Sequence, residues 1–476
     1  MRLMVEMRKA QGRLDPLYQA YAAADSLGLL KEMSSRYDLR DLPDRVLELP
    51  SLLFESPPAP PGFAAPGRDD LLDQLRRLII PVEFDDPAQV PVFVERVRRA
   101  GGRVGADPPV GLMGAHWNPY GDTPSFFHTR PAAEALIRAD ALQGQGLAGQ
   151  GVNLVFFDEG ICAPALAARV AQLPRNLAKA QPGFISGWNV TQPGFAKRRA
   201  GHAEPRSHGT MVALNALSLA PAARVFDLPV LPDRLRDVMA FASFATAALI
   251  WARLEIAIWL SAAYPGRWVF CHAWGVFNRN LERPRGGFTA DPRHPFHQWV
   301  AMLDHELQND QIFAAGNGGQ FAPHPQCGPG DIGPGQSILG GNSSPHVLTV
   351  GAVRADGAWI GYSSQGPGQE AFQSSPNTGL HFPLPIEKPD LCAPSHFIEP
   401  GDAAWVSSGT SAACGLAAGA VAALRSAGSP LEQLSPAELR AHLRQTARKP
   451  AGEAPGYDIR LGHGILDLAA ALPPPA

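Results

Sequence analysis

Cysteine is scarce in this chain, five in 476 residues, and Cys162, Cys271, Cys327, Cys392 and Cys414 show no paired spacing. That pattern argues against a disulfide framework or a cysteine-based zinc site and fits free thiols in a reducing compartment. Charge is thin as well: 18% of residues are charged and the formal net charge is -3, which gives no electrostatic case for a nucleic-acid partner. The first twenty residues lack an apolar run of signal-peptide length, broken as they are by Arg2, Glu6, Arg8, Lys9, Arg13 and Asp15. A cytoplasmic location is therefore expected. Two apolar stretches invite a membrane reading, and both read better as buried helices. The first, 238–264, carries Arg253 and Glu255 at its centre, and the second, 412–424, is too short to span a bilayer. Internal repeats are not evident.

Hydrophobic residues make up 45% of the sequence, enough for a sizeable core, and 48 glycines with 47 prolines imply many turns and long loops. The sequence divides near residue 130. Before it, 2–7 alternates like a short strand, 17–30 is patterned as a helix, and 50–67 holds six prolines suited to an extended linker. Residues 77–84 read as a strand, and Asp86-Pro87 starts a helix through Val90, Val92, Val94 and Val97. Gly101-Gly102 stops it, and 103–105 begins another strand. Strand, helix and strand in this span make a βαβ unit or a split version of it, within a small α+β region.

A second domain spans 131–476, and from Gly151 onward its rhythm is regular. Apolar strand-like runs at 152–157, 224–230, 268–273, 311–315 and 346–353 alternate with helical patterns. That alternation argues for an α/β fold with a mostly parallel sheet covered on both faces. In such sheets the working residues gather at the carboxyl ends of the strands.

Four positions there carry chemistry. Asp158 ends the run Asn153-Leu154-Val155-Phe156-Phe157, where a carboxylate can accept a hydrogen bond from an imidazole. His208, followed by Gly209-Thr210 and an apolar run, falls in the first turn of a buried helix. Asn317, within Gly316-Asn317-Gly318-Gly319, offers a side-chain amide at a glycine-rich turn after a strand, worth about 3 kcal/mol to a developing oxyanion in comparable sites. Ser411, within Gly409-Thr410-Ser411-Ala412, lies where a loop enters a helix of small residues, near its positive end. Taken singly, each has a plainer reading: a turn aspartate, a structural histidine, an Asn-Gly turn, a helix cap. Serine is a weak nucleophile until a base takes its proton, so the set matters more than its members.

Their order, Asp, His, Asn, Ser, together with Asp158-Glu159-Gly160, His208-Gly209-Thr210 and Gly409-Thr410-Ser411, resembles the subtilisin-like serine peptidases; the triad order Asp, His, Ser is that of subtilisin itself. Weaker landmarks also resemble that family: Ala273-Trp274-Gly275, Tyr362-Ser363-Ser364-Gln365-Gly366-Pro367, Lys388-Pro389-Asp390-Leu391-Cys392-Ala393-Pro394 and Gly462-His463-Gly464-Ile465-Leu466-Asp467. The sequence departs from the family pattern at Glu159, Met211, Ala412 and Gly415, the last standing where a proline is usual. None of these changes removes a group that moves a proton. His272 and Cys414, close to the landmarks but without a family role in proton transfer, read as packing residues.

The resemblance implies a three-layer subtilisin-like fold and a serine endopeptidase. Asp158, His208 and Ser411 would form its triad, and Asn317 would complete the oxyanion hole. Substrate would bind as an added strand along Ala273, Trp274 and Gly275, near Ala315 and Gly316. Protein or peptide substrates are implied, with no nucleic acid and no membrane partner. No metal or other cofactor is required, and structural calcium is frequent in the family, but its ligands are not assignable here. The loop 320–343 either helps wall the specificity pocket or is a surface elaboration. The resemblance also offers two readings of residues 1–130: a plain appendage, or a prodomain-like segment that inhibits the cleft. Two rival functions share the motifs, a peptide ligase or macrocyclase on the same fold and a silent protein-binding scaffold.

Overall fold

The computed structural model describes residues 1–10, 12–39, 41–113, 128–173, 183–191, 198–230, 240–373, 381 and 385–472. At the N-terminus β1 (Arg2–Arg8) lies between β2 (Arg77–Glu83) and β3 (Arg103–Ala106), antiparallel to both. The short strand Arg45–Val46 extends the sheet beyond β2. Because β2 and β3 are both antiparallel to β1, they run parallel to each other, and helix α1 (Val90–Arg99) joins them. This is the split form of the expected βαβ unit. Asp86 caps the entry to the helix by accepting the Ala88 N–H at 2.9 Å, and Gly101, at φ 77°, ends it. The buried residues Val90, Phe93 and Val97 share one helical face.

Two N-terminal expectations need correction. The helix expected over 17–30 is two helices, Pro16–Ala22 and Ser26–Tyr37. Ala24 takes a left-handed φ of 51°, and Asp25 then caps the second helix by accepting the Gly28 N–H at 3.0 Å. The proline-rich stretch 50–67 is more than a linker. Its strand Phe54–Glu55 pairs with Asn189–Val190, Phe54 is fully buried with its ring 5.2 Å from that of Phe244, and the Ser56 hydroxyl donates to Glu255 at 2.8 Å. Proline denies this stretch a helix without preventing it from docking.

After β3 the chain forms β4 (Pro109–Leu112). The central sheet then takes β5 (Val152–Asp158), β6 (Gly183–Gly187), β7 (Arg224–Pro229), β9 (Arg267–His272), β11 (Asp310–Ala314), β12 (Leu348–Val353) and β13 (Leu391–Pro394). Two short strands, β8 (Ala240–Phe241) and β10 (Trp274–Gly275), lie outside it. The sheet order is β13-β12-β11-β9-β5-β7-β6, with every pairing parallel. All five strands expected from the sequence are among these seven.

Alternation along β5 separates the two faces. Leu154 and Phe156 join the apolar cluster of helices α2 (His208–Leu217) and α5 (Gly409–Leu424). Val155 and Phe157 join a second cluster, shared by helices α3 (Ala242–Glu255) and α4 (Pro295–His305) and by the N-terminal sheet. That second cluster is continuous from Leu3 and Val5 through Ile80 to Leu249 and Trp251. The Trp299 indole of α4 donates to the buried Glu6 of β1 at 3.3 Å. The apolar stretch around α3 continues through a π-turn at Ile256–Leu260 and is long enough to cross a membrane, but 78% of its most apolar window is buried inside the protein.

Candidate active site

Each chemical residue sits at a strand end or a helix start. Asp158 is the last residue of β5 and is fully buried; its Oδ1 accepts the His208 Nδ1–H at 2.8 Å. His208 opens α2, whose cap is Ser207: the Ser207 hydroxyl accepts from the Thr210 N–H at 3.2 Å and donates to the Gly160 carbonyl at 2.9 Å. Gly209 is required there, since a Cβ on it would lie 2.4 Å from the Gly160 carbonyl oxygen. The Glu159 carboxylate accepts the backbone N–H of His208. Burial pushes the His208 imidazole down, but the Asp158 charge and hydrogen bond, with the Glu159 charge, outweigh it and hold it above 6.5.

Ser411 lies in the first turn of α5 and is fully buried. Its hydroxyl donates to the Ala273 carbonyl at 3.3 Å, and His208 Nε2 has no hydrogen-bond partner. The serine–histidine bond is thus not made in this state. Asn317 follows β11, and its orientation is fixed: Oδ1 accepts from both the backbone N–H and the hydroxyl of Thr410, each at 3.0 Å. Its Nδ2 donates to the Met113 carbonyl at 2.5 Å.

Met113 follows β4, which is the middle strand of a separate three-stranded sheet, β8-β4-β10. Leu112 faces Trp274 and Gly111 faces Gly275 in antiparallel register, while Val110 faces Ala240. The Met113 N–H donates to the Ala273 carbonyl at 2.9 Å. Ala273, Trp274 and Gly275 therefore bind an extended strand of the chain itself. The Ala315 N–H donates to the Val350 carbonyl, the Gly316 N–H donates to the Thr410 hydroxyl, and the Gly316 carbonyl accepts from the Ser364 N–H. They support the Asn317 turn from below.

The sequence pattern of the subtilase family matches residues 190–464, more than half of the chain. The chain belongs to the subtilase family of serine endopeptidases. No curated protein matches it. Among solved structures it is similar to fervidolysin from Fervidobacterium pennivorans, a keratinolytic enzyme related to subtilisin, at 15% identity and a TM-score of 0.51, over 100% of this chain and 61% of that one. It is also similar to MycP1 from Mycobacterium smegmatis, at 18% identity and a TM-score of 0.44, over 78% of this chain and 91% of that one. The fervidolysin likeness is one of fold.

Within this subtilase several supporting residues escaped the sequence reading. Thr410 orients Asn317, and Asn342 holds β10 by donating to the Trp274 carbonyl at 3.0 Å and to the Ala314 carbonyl at 2.6 Å. Tyr362, which lies within one of the family-like stretches, accepts the Gly409 N–H at 3.1 Å and so braces the turn before Ser411. The packing roles expected of His272 and Cys414 agree with the structure. His272 is stacked between Phe157 and Phe313, with ring centroids 4.4 and 4.2 Å away, and burial pushes it down to about 3. Cys414 is buried with its sulfur 3.7 Å from that of Cys271, both free thiols. Among the described residues no group of three or more His, Cys, Asp or Glu side chains gathers to hold a metal ion.

Proposed function

We propose that this subtilase hydrolyses peptide bonds through an acyl-enzyme on Ser411, and that residues before Pro131 hold it latent by lying in its cleft. The observation that carries both halves is the Met113 carbonyl on Asn317 Nδ2, beside the Asp158–His208 pair. A substrate carbonyl held there becomes an oxyanion on attack, and a donor already aimed at it stabilises that charge without reorganisation.

His208 Nε2 takes the Ser411 proton once the hydroxyl turns from Ala273, and Asp158 holds the ring in the tautomer with the proton on Nδ1. The serine oxygen attacks the carbonyl carbon, and His208 returns the proton to the leaving amine. Water then attacks the ester, with His208 again the base. Asn317 Nδ2 supplies one oxyanion donor and the backbone N–H of Ser411 a second, at the N-terminus of α5.

A fluorophosphonate tests this on the intact full-length protein. One adduct on the natural chain, absent from Ser411→Ala, is the expected result. No adduct, even after displacement of the N-terminal strand by prolonged incubation with a competing peptide, would count against an activated serine.

A further inference from the structure

We infer that this enzyme cuts after a long apolar side chain unbranched at its β-carbon and preceded, two positions earlier, by glycine, and that Gly275, Phe277 and Gln326 impose that choice. The inference rests on the peptidase reading above and names its substrate class. The register fixes which residue is which. Met113 has its N–H on Ala273 and its carbonyl on Asn317, so its carbonyl carbon is the one presented for attack. Val110, Gly111 and Leu112 precede it along β4.

Met113 is buried in the apolar cluster of α5, and the tip of its side chain reaches over Gly275. A Cβ on Gly275 would lie 2.5 Å from Met113 Cε and 3.0 Å from Asn342 Oδ1, so the absence of a side chain there makes room for the tip of a long one. Asn342 cannot retreat cheaply, because its amide nitrogen is tied to Trp274 and Ala314. Branching at the β-carbon would widen the chain where the pocket is built for length.

Gly111 is restricted from the other side. A Cβ there would stand 3.2 Å from Phe277 Cε2 and 3.5 Å from Gln326 Oε1. Phe277 is itself buried and its ring packs on His324, with centroids 4.7 Å apart. Alanine needs the ring to give by a few tenths of an ångström, and a longer side chain runs into it. Both His324 and Gln326 belong to the glycine- and proline-rich loop 320–343, which thereby acquires a role in selection.

In the cut, the Ser411 oxygen bonds to the Met113 carbonyl carbon, the bond to Gly114 breaks, and its nitrogen leaves with a proton from His208. Water then frees Met113 as a carboxylate. Purified full-length chain is incubated and followed by intact mass, with fluorophosphonate labelling of parallel samples. The natural chain and Met113→Leu should yield an N-terminal fragment ending at residue 113. Met113→Val and Gly111→Leu should be cut about tenfold slower or worse, as steric misfits in such pockets are. Adding Phe277→Ala to Gly111→Leu should restore most of the rate, a rescue that a misfolded variant would not give. Equal rates for Gly111→Leu and the natural chain, no rescue, or a labelled Ser411 with no cut after Met113 would overturn the inference and leave the peptidase reading standing. Absence of both label and cut in every sample would sink the two together.

Discussion

His208 lies against two carboxylates, and only one of them holds its ring. Asp158 orients the imidazole, while Glu159 binds its backbone N–H and adds negative charge. Burial lowers the imidazole, but these charges raise it further, to a value above 6.5. A general base works only when neutral, so kcat/KM should climb with pH through that raised value. Glu159→Gln should move this acid limb to lower pH, and a pH profile of kcat/KM on a small ester checks it; an unmoved limb would mean the Glu159 charge is screened. Asn317→Ala should lower kcat by about two to three orders of magnitude with little change in KM, since its amide matters most when the oxygen is charged. These residues were legible in the sequence because each stands at a boundary where a strand or loop meets a turn or helix. Thr410, Asn342 and Phe277 were not. Their roles exist only across long separations, such as the 93 residues between Asn317 and Thr410, and no local pattern marks such contacts.

At the next scale, Gly415 departs from the family pattern for a reason the sequence could not supply. A Cβ on it would lie 2.6 Å from the Val212 carbonyl oxygen, and one on Gly419 would lie 2.2 Å from that of Ala216. Spaced four apart, these glycines share the face of α5 that meets α2, the helix carrying His208. Gly419→Ala should therefore cost about 1–3 kcal/mol as an overpacked contact against backbone, read as a lowered Tm. Helix α3 carries a second element-scale consequence at Glu255. Burial raises its carboxyl from 4.5 to about 7, partly offset by hydrogen bonds from Ser56 and Trp259. The folded chain prefers the neutral acid, so the stability tied to Glu255 is full below 4.5 and is lost as pH rises to about 7. The loss amounts to about 3 kcal/mol. Glu255→Gln should flatten that fall, measured by urea unfolding at a series of pH values. Five strands of the central sheet were readable from apolar runs. β6, Gly-Phe-Ile-Ser-Gly, was not, being short, glycine-bounded and without such a run. β13 was legible as the motif Leu391-Cys392-Ala393-Pro394 and not as a strand, because four residues carry too little periodicity.

For the whole molecule, the N-terminal sheet and the helices beneath it share one apolar core, running from Val5 and Ile80 to Leu249, Trp251 and Trp299. A chain beginning after Met113 would expose that face, so it should bind a hydrophobic dye strongly and aggregate. Adding residues 1–113 as a separate polypeptide should suppress both; a well-behaved monomer without them would contradict the shared core. The sequence revealed a βαβ unit, plain or split, but not its depth of attachment, since apolar residues facing their own sheet and those facing a neighbour look alike. That attachment sets how the strand in the cleft behaves once severed. While tethered, β4 meets the cleft at a local concentration set by chain geometry, indifferent to how much protein is present. Were the proposed cut after Met113 made, occupancy would follow mass action. Latency would then turn on concentration: a concentrated population would stay shut, and the same molecules, diluted, would open.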